Sequence, residues 1–522
     1  MPNSSQLAKW GIFPLWLLLT LSVFFRPITP IDETRYLSVA WEMWLRQEFL
    51  VPYLNGATYS HKPPLLFWLI NLSWGIFGVH EWSARLIGPI CALLNLYLIR
   101  VLGEKLWPEQ PKVALLAPWV LCATLLWTVF ATSTMFDILL TNFVLLGMLG
   151  FVMVCQQQAT QGWILVSIAI GLGVLTKGPV ILVHLLPVAL LIPLWNKKKT
   201  INYYRWYGLL ILAILGGALI AYAWAIPAAI QGGEIYGNQI LWSQTADRAV
   251  TTRIHARPFW WYLPFLPLLI FPWIAWPRLW GNIKNMPWNS DQSLRFCSIW
   301  FISCLLIFSL IQSKQIHYLI PLLPAFSLLI SRLMTSVKQK QTERVVSELV
   351  IPISLCILGL LLILMPYVPA LEKLAWVKAT TYAWGASVFG CGVVLATLTL
   401  YHKKLSILLC STIIVFSIFI SFIFFFKYTG LAYNLQVAAD KVSFFQKNNI
   451  PVAFIKKYKG QFQFLGRLTK PIEVIFPAQA YQWHKKHSGG YTISIEKKPD
   501  SRASYSQHQR ERWLIFRTQG QK

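Results

Sequence analysis

The chain has 522 residues, of which 56% are hydrophobic and 15% aromatic, whereas only 12% are charged. Charged residues make up about a quarter of an ordinary soluble domain, so this composition excludes that class of protein. The net charge of +27 indicates anionic partners. Because much of the Lys and Arg excess lies in loops between apolar runs and in the tail, it argues against nucleic acid as the partner.

Apolar runs of bilayer-spanning length recur from about residue 10 to residue 426. They predict a mainly α, polytopic membrane protein of about thirteen transmembrane helices. The predicted spans are 10–25, 83–103, 113–131, 135–154, 163–178, 180–195, 208–230, 259–277, 296–312, 316–335, 350–368, 381–400 and 405–426. The first run leads directly into charged residues, without a small-residue cleavage site between them. We therefore interpret it as a retained membrane anchor and not as a signal peptide.

The predicted transmembrane domain, 1–426, has two large outer loops, 26–82, which is expected to contain interfacial helices, and 231–258. Within the first loop, the apolar run 63–78 opens with Pro63–Pro64, which indicates an interfacial or re-entrant helix. Lys and Arg are more frequent in the opposite set of loops, for example at 197–199. The positive-inside rule therefore predicts a cytoplasmic amino terminus, with the two outer loops and the carboxyl-terminal domain on the opposite side of the membrane.

The segment 427–522 is predicted to be a small α/β domain. "LAYNLQVAADKVSFFQKNN" has helical spacing, whereas "VAFIKKY", "QFQFLGRL", "IEVIF", "YTISIE" and "RWLIFR" are typical of short strands. This tail has no cysteine, and the cysteines of the spans form no CxxC pair, so we expect neither a disulfide nor a zinc-thiolate site.

Ionisable residues gather at the predicted outer ends of spans and in outer loops. Since such groups are costly at membrane depth, they are expected to face one polar cavity that opens outward. They are Asp32, Glu33, Lys62, Asp137, Lys177, Arg248, His255, Lys314 and His317.

Each of these motifs also has a purely structural interpretation. The Asp32–Glu33 pair fits a base, a metal ligand or a partner for cations, but acids also favour a helix start. Lys62, which precedes two prolines, can bind a specific anionic group at headgroup depth, or it can extend to the interface and contact lipid phosphates in general. Asp137 heads an apolar run and can cap a helix or face a cavity, and Lys177 ends a run before a Gly-Pro turn.

The loop 231–258 contains Arg248 and His255. The guanidinium group of an arginine can donate two parallel hydrogen bonds to phosphate oxygens. A lone His255 is more often a hydrogen-bonded loop residue than a ligand. The sequence has no Walker lysine loop, no G-x-G-x-x-G after a strand and no HExxH or GxSxG motif. We therefore expect no nucleotide cofactor and a substrate that reaches the outer face already activated, as lipid-linked phosphates are.

An ordered set of motifs resembles the aminoarabinose transferases that modify lipid A and the related bacterial protein mannosyltransferase-like enzymes, which share the GT-C glycosyltransferase fold. The motifs are "DETRY", "PYLNG", "YSHKPPLLFW", "EWSARL", "FDILLTN", "LTKGP", "PFWWYLP" and "SKQIHYLIPLLPA". The resemblance runs in order over about residues 10–335. It implies a membrane enzyme that takes a sugar from an undecaprenyl-phosphate donor on the periplasmic face.

The resemblance also implies roles for individual residues. Asp32, with Glu33 beside it, is the candidate catalytic acid, and Lys62 and Arg248 are candidates for binding the donor phosphate. The other cavity residues implied are Tyr59, Arg85, Asp137, Lys177 and His255. Relatives often carry Glu before the KPP lysine as part of a divalent-metal site, and His61 stands there in this chain, so His61 and His255 are the candidate ligands of a metal ion.

The expected reaction is transfer of 4-amino-4-deoxy-L-arabinose or a similar sugar to lipid A. One alternative keeps the donor chemistry and has a protein or polysaccharide acceptor. Another alternative is a transporter or flippase. The gathering of the charges on one face argues against it, as does the lack of an evident internal repeat.

Overall fold

The computed structural model describes residues 4–197, 201–243, 256–336, 345–371, 374–378, 380–403 and 405–520. These residues form a mainly helical membrane protein with a small carboxyl-terminal sheet, which confirms the predicted fold class. Arg248 and His255 lie outside the described residues.

The first half of the chain forms helices α1 to α13. Their bounds are α1 Ser4–Trp10, α2 Ile12–Phe25, α3 Asp32–Arg46, α4 Leu65–Phe77, α5 Glu81–Arg85, α6 Ile87–Leu106, α7 Pro111–Ala123, α8 Leu125–Ala131, α9 Phe136–Cys155, α10 Ala159–Lys177, α11 Val180–Leu190, α12 Ile192–Trp195 and α13 Tyr203–Asn238. Strands β1 Tyr53–Leu54 and β2 Ala57–Thr58 form a short antiparallel hairpin between α3 and α4.

The second half contributes further helices and the main sheet. The helices are α14 Leu266–Leu269, α15 Pro277–Ile283, α16 Gln292–Leu310, α17 Leu323–Thr335, α18 Val345–Glu348, α19 Val350–Leu364, α20 Ala375–Lys378, α21 Tyr382–His402, α22 Ile407–Thr429, α23 Gln436–Lys447 and α24 Ala480–Lys486. The strands are β3 Val452–Ile455, β4 Glu473–Ile475, β5 Tyr491–Glu496, β6 Tyr505–Gln509 and β7 Arg512–Arg517.

Ten helices in the described part of the chain are long and apolar enough to cross a membrane, or eleven if α7 and α8, which meet at 73°, count as one span. The predicted number of thirteen is therefore not confirmed. The predicted span 180–195 is divided between α11 and α12. The predicted span 259–277 forms no continuous helix, because Pro264, Pro267 and Pro272 interrupt it.

The first predicted outer loop forms helices, as expected, and the second contains more helix than expected. The segment 26–82 holds α3, the β1–β2 hairpin and α4, and α4 is the predicted short helix after Pro64. The predicted loop 231–258 is helical as far as Ser243, since α13 continues past a kink at Gly233 into a π-helical turn. The predicted turn after Lys177 is confirmed: Gly178 has φ 76°, and α11 begins two residues later.

The carboxyl-terminal sheet has the strand order β4-β3-β5-β7-β6. Strand β3 is parallel to β4 and β5, whereas β7 is antiparallel to β5 and β6. Helix α23 covers one face of the sheet, where its Val442 and Phe445 pack with Phe454, Ile493 and Phe516. This confirms the predicted helix and four of the five predicted strands, and β6 is an additional strand that the sequence did not predict.

The predicted strand "QFQFLGRL" is instead a buried loop that attaches this sheet to the membrane region. Ser38 of α3 donates a hydrogen bond to the Gly460 carbonyl at 2.7 Å, and the Trp41 indole donates to the Leu468 carbonyl at 2.9 Å. Phe464 stacks on Trp74 of α4 with ring centroids 5.2 Å apart. The alternating polar and apolar residues thus pack against helices instead of pairing in a sheet.

Candidate functional site

Asp32 is the first residue of α3 and forms an ion pair with Arg35, one helical turn further on. The spacing of three residues places both side chains on one helix face. The Asp32 side chain remains 48% exposed, so its carboxylate is open to a ligand while Arg35 orients it. The Arg35 guanidinium also lies 5.3 Å from the Tyr36 ring.

Glu33, the neighbouring acid, is buried in a separate network. It accepts hydrogen bonds from Arg26 at 2.6 and 2.8 Å, from the Thr29 hydroxyl at 2.6 Å and from the Thr134 amide at 2.8 Å. Burial alone would raise the pKa of Glu33, but the charge and hydrogen bonds of Arg26, assisted by Arg85, lower it to about 2. Its carboxylate is therefore ionised and fully engaged.

Arg85 belongs to the network around Glu33. Its guanidinium donates to the Arg26 carbonyl at 2.7 Å and to Glu81 at 2.5 Å, and the side chain is buried. The predicted cavity residue Arg85 thus supports the segment before Asp32.

Asp137 and Lys177 form an ion pair between two helices. Asp137 lies in the first turn of α9, and Lys177 is the last residue of α10. Both are buried, and His317 Nε2 lies 4.0 Å from the second Asp137 oxygen. The ammonium of Lys177 is also 4.5 Å from the Tyr318 ring. Asp137 is thus one partner of a buried ion pair, and its assignment to a substrate cavity stays a prediction.

Lys62 connects the two acidic positions through a group of aromatic rings. Its ammonium lies 5.4 Å from the ring of Phe136, the residue before Asp137. Phe136 in turn packs edge-on against Tyr36, with ring centroids 4.8 Å apart, and Tyr36 lies on α3 beside Arg35. Asp137 follows Phe136 directly in the chain, and its carboxylate lies beside Lys177 and His317. The structure therefore brings Asp32, Lys62, Asp137, Lys177 and His317 into one region.

Tyr59 and His61 flank this region on the chain before Lys62. Tyr59 is buried, and its ring centroid lies 5.5 Å from that of His61 and 6.2 Å from that of Phe67. Among the described residues, which include His61, no three His, Cys, Asp or Glu side chains form a group that could hold a metal ion. The described residues therefore do not fit a metal site.

Lys314, the remaining predicted cation, has a structural position. Its buried ammonium donates to the carbonyl of Arg257 at 3.1 Å and to that of Ile311. It joins the residue after α16 to the end of the second outer loop and, among the described residues, makes no ion pair with the group around Asp137.

Sequence reasoning missed two arginines of the site. Asp32 and Arg35 are three residues apart, which is the ordinary spacing of ion pairs in helices, so their pairing could have been predicted from the sequence. Arg26 ends the first apolar run seven residues before Glu33, and nothing in its spacing distinguishes an internal partner from a topological charge.

The chain is similar to known proteins both in sequence and in fold. Residues 61–224 match the family model described as dolichyl-phosphate-mannose-protein mannosyltransferase. The undecaprenyl phosphate-α-4-amino-4-deoxy-L-arabinose arabinosyl transferase of Pectobacterium atrosepticum is 29% identical over 323 residues, which are 60% of this chain and 56% of that protein. The enzyme of the same name from Enterobacter sp. strain 638 is 29% identical over 341 residues, 63% of this chain and 60% of that protein. The matched region thus spans less than two thirds of these relatives.

The crystal structure of ArnT from Cupriavidus metallidurans bound to undecaprenyl phosphate superimposes with a TM-score of 0.77 at 17% identity, covering 99% of both chains. Its apo form gives a TM-score of 0.74 at 17% identity, covering 97% of this chain and 98% of that one. The chain has the ArnT-like GT-C fold. The resemblance inferred from the ordered motifs is confirmed. Within the ArnT-like fold, helix α3 and the segment around Lys62 present the candidate site beside the ends of α9 and α10.

Proposed function

We propose that the chain is a membrane glycosyltransferase that moves a sugar from an undecaprenyl-phosphate-linked donor to an acceptor at the periplasmic face of the bacterial inner membrane. The preferred reaction transfers 4-amino-4-deoxy-L-arabinose, or a similar sugar, to lipid A. Support comes from the names of the relatives and from the carrier bound in the similar ArnT structure. The observation that carries the proposal is that Lys62 and Tyr36 of α3 both pack on Phe136, the residue before Asp137, which brings Asp32 and Lys62 near the Asp137–Lys177 pair.

Lys62 is assigned to the donor phosphate. During transfer, the bond between the anomeric carbon and the phosphate oxygen breaks, and its electron pair remains on the departing polyprenyl phosphate. A cation already in place stabilises this developing charge without reorganisation at the moment of reaction. Because Lys177 is paired with Asp137, it contributes less free charge and serves to hold Asp137 and His317 near Lys62. Arg248 is the second candidate for the phosphate.

Asp32 is assigned to the acceptor. An acceptor hydroxyl forms the new bond to the anomeric carbon, and its proton passes to the Asp32 carboxylate as general base. If the acceptor is a lipid A phosphate, it is already largely ionised near neutral pH, and Asp32 then orients the acceptor or stabilises positive charge on the sugar. Glu33 has no free lone pair for either task, so it is assigned to positioning Asp32.

The proposal also includes the domain limits and the sidedness. We place the catalytic membrane domain at 1–426 and a periplasmic domain at 427–522, with the amino terminus in the cytoplasm. The loop 460–468, which packs on α3 beside Asp32, supports one compartment for both the site and the sheet.

A protein acceptor is the second candidate, because the matching family model is that of protein mannosyltransferases. Mass analysis of lipid A and of periplasmic proteins, from cells with and without the gene, separates the two acceptors. A sugar adduct on lipid A supports the first, and adducts confined to proteins support the second.

The proposed activity is tested by Asp32→Asn and Lys62→Ala, made separately in the full chain. Membranes carrying each variant are supplied with radiolabelled donor, and sugar transfer and release of free polyprenyl phosphate are followed. We expect at least about a hundredfold loss of rate for each, as for removal of a preorganised charge or base. Asp440→Asn and Lys447→Ala, both exposed on α23, are the matched controls. Wild-type transfer in both site variants would end the assignment.

A further inference from the structure

A cleft of about 620 Å³ lies between the carboxyl-terminal sheet and the segment that leads into α3. Ile31, which directly precedes Asp32, lines the cleft together with Trp376 and Tyr433. The charged residues of the lining are the cations Lys456, Lys457, Lys459, Arg510 and Arg512 and a single acid, Glu511. We refer to this space as the basic cleft.

Two turns of the sheet build the basic cleft. The three lysines follow directly after β3, and Lys456 begins the turn with φ 74°. Arg510 and Glu511 form the turn between β6 and β7, where Arg510 has φ 55°. Two connections far apart in the sequence therefore present their cations to the same space.

These cations lack the acidic partners that the same domain supplies elsewhere. No carboxylate of the described residues lies within ion-pair distance of any of the five. Arg517, by contrast, pairs with Glu496 at 2.5 Å and with Asp500 at 2.8 Å. Five cations beside one acid repel one another, and an anionic ligand would relieve that repulsion.

The basic cleft is electrostatically continuous with the candidate site. The pKa of Lys459 is lowered by burial and then by the charges of Arg35 and Lys457, while Asp32 opposes that shift. The charges of Asp32 and Arg35 thus act on Lys459. Arg510 donates a hydrogen bond to the Pro30 carbonyl, two residues before Asp32. A ligand in the cleft would therefore lie next to the carboxylate assigned to the acceptor.

We propose that the basic cleft binds the acceptor through several negative charges, so that the acceptor is a membrane glycolipid with more than one phosphate or carboxylate group. This inference rests on the proposed transferase function. The donor is a poorer match, because a sugar phosphodiester carries about one charge and has Lys62 assigned to it. Bulk phospholipid is also a poorer match, because each headgroup brings few charges and has no need of a cleft beside Asp32.

The test is a binding measurement that does not require turnover. The triple variant Lys456→Gln, Lys457→Gln, Lys459→Gln is compared with Lys485→Gln, Lys486→Gln, Lys497→Gln. The control removes the same charge from exposed lysines of the same domain, outside the cleft. The full chain in neutral detergent is titrated with bis-phosphorylated lipid A, with undecaprenyl phosphate and with phosphatidylglycerol. Arg510 is left intact because it contacts the segment before Asp32.

We expect the cleft variant to bind lipid A about tenfold more weakly, the sum of three partly exposed charge interactions. The control triple should bind lipid A like wild type, and undecaprenyl phosphate should bind all three proteins equally. In wild type, added salt should weaken lipid A binding more steeply than in the cleft variant.

Equal binding of lipid A by both triples would overturn the inference, as would an equal loss for phosphatidylglycerol, which would make the cleft a general lipid surface. Lipid A binding to wild type that does not weaken as salt is added would also overturn the inference, and this measurement needs no variant, so a poorly folded triple would not block the test. If lipid A binds as expected but no sugar is transferred, the proposed function fails and the binding site stands.

Discussion

The ammonium of Lys177, at the end of α10, contacts the carboxylate of Asp137, at the start of α9, in the buried part of the candidate site. This pair joins the ends of two neighbouring helices and carries His317 beside it. Removing one partner of a buried pair leaves an uncompensated charge, whereas removing both does not.

We therefore predict that Asp137→Asn and Lys177→Met each lower the free energy of unfolding by about 3–5 kcal/mol. The double variant should lose clearly less than the sum, because no charge is left without a partner. Thermal unfolding of the four proteins in detergent gives this double-mutant cycle. Additive losses would show that the two side chains do not interact.

The second prediction concerns acid stability. The pKa of Glu33 is about 2 in the folded chain, below its ordinary value of 4.5, because Arg26 more than offsets the effect of burial. A lowered pKa in the folded state means that the stabilisation is fully present above about pH 4.5 and is lost as the pH falls towards 2. Glu33→Gln should therefore be destabilised by about 3 kcal/mol or more at pH 7.

In the same variant, the remaining stability should fall less steeply than that of wild type between about pH 4.5 and 2. Midpoints of thermal unfolding along a pH series measure this difference. Glu473→Gln, an exposed acid on β4, is the control and should follow the wild-type curve. An identical slope for wild type and Glu33→Gln would contradict the assigned pKa.

Much of the fold was predictable from apolar length, and the two wrongly predicted spans share one cause. Span length measures hydrophobicity but not the continuity of backbone hydrogen bonds, so 180–195 and 259–277 were counted as spans although prolines divide them. In "QFQFLGRL", the alternation of polar and apolar residues indicated a strand. The same alternation occurs in this irregular loop because its apolar side chains are buried against α3. Strand β6 was missed because "YSQHQ" has no apolar alternation.

The candidate site was predictable as a set of residue types and less so as contacts. Asp32 and Lys62 stood out because charges are rare beside apolar runs, and the structure brings both to the same aromatic group. The difference between the adjacent acids was not predictable. Glu33 pairs with Arg26, whereas the Asp32 side chain stays half exposed. The direction in which each acid points depends on its position around the helix and on a partner from another segment.

The third prediction concerns the attachment of the carboxyl-terminal sheet. Phe464 is 2% exposed and stacks on Trp74, so Phe464→Ala should cost about 3–5 kcal/mol of the packing between loop and helices. The sheet should then open locally and become sensitive to protease in the loop 456–468. Phe444→Ala on α23 is the matched control, because Phe444 is 58% exposed. Equal cleavage of both variants would mean that Phe464 does not hold the sheet in place.

The fourth prediction compares two glycines in the left-handed region. Gly460 has φ 74° and Gly489 has φ 77°, so an alanine at either position carries the same backbone penalty, about 1–2 kcal/mol. At Gly460, an added Cβ would also lie 2.4 Å from Leu54 Cδ1, whereas at Gly489 nothing lies within 4 Å. Since Gly460 also accepts the Ser38 hydrogen bond, its displacement would loosen the contact with α3. Gly460→Ala should therefore lose about 1–3 kcal/mol more than Gly489→Ala, the usual cost of overpacking. Unfolding midpoints of the two variants measure this difference, and equal midpoints would show that the loop accommodates the methyl group without strain against the β1–β2 hairpin.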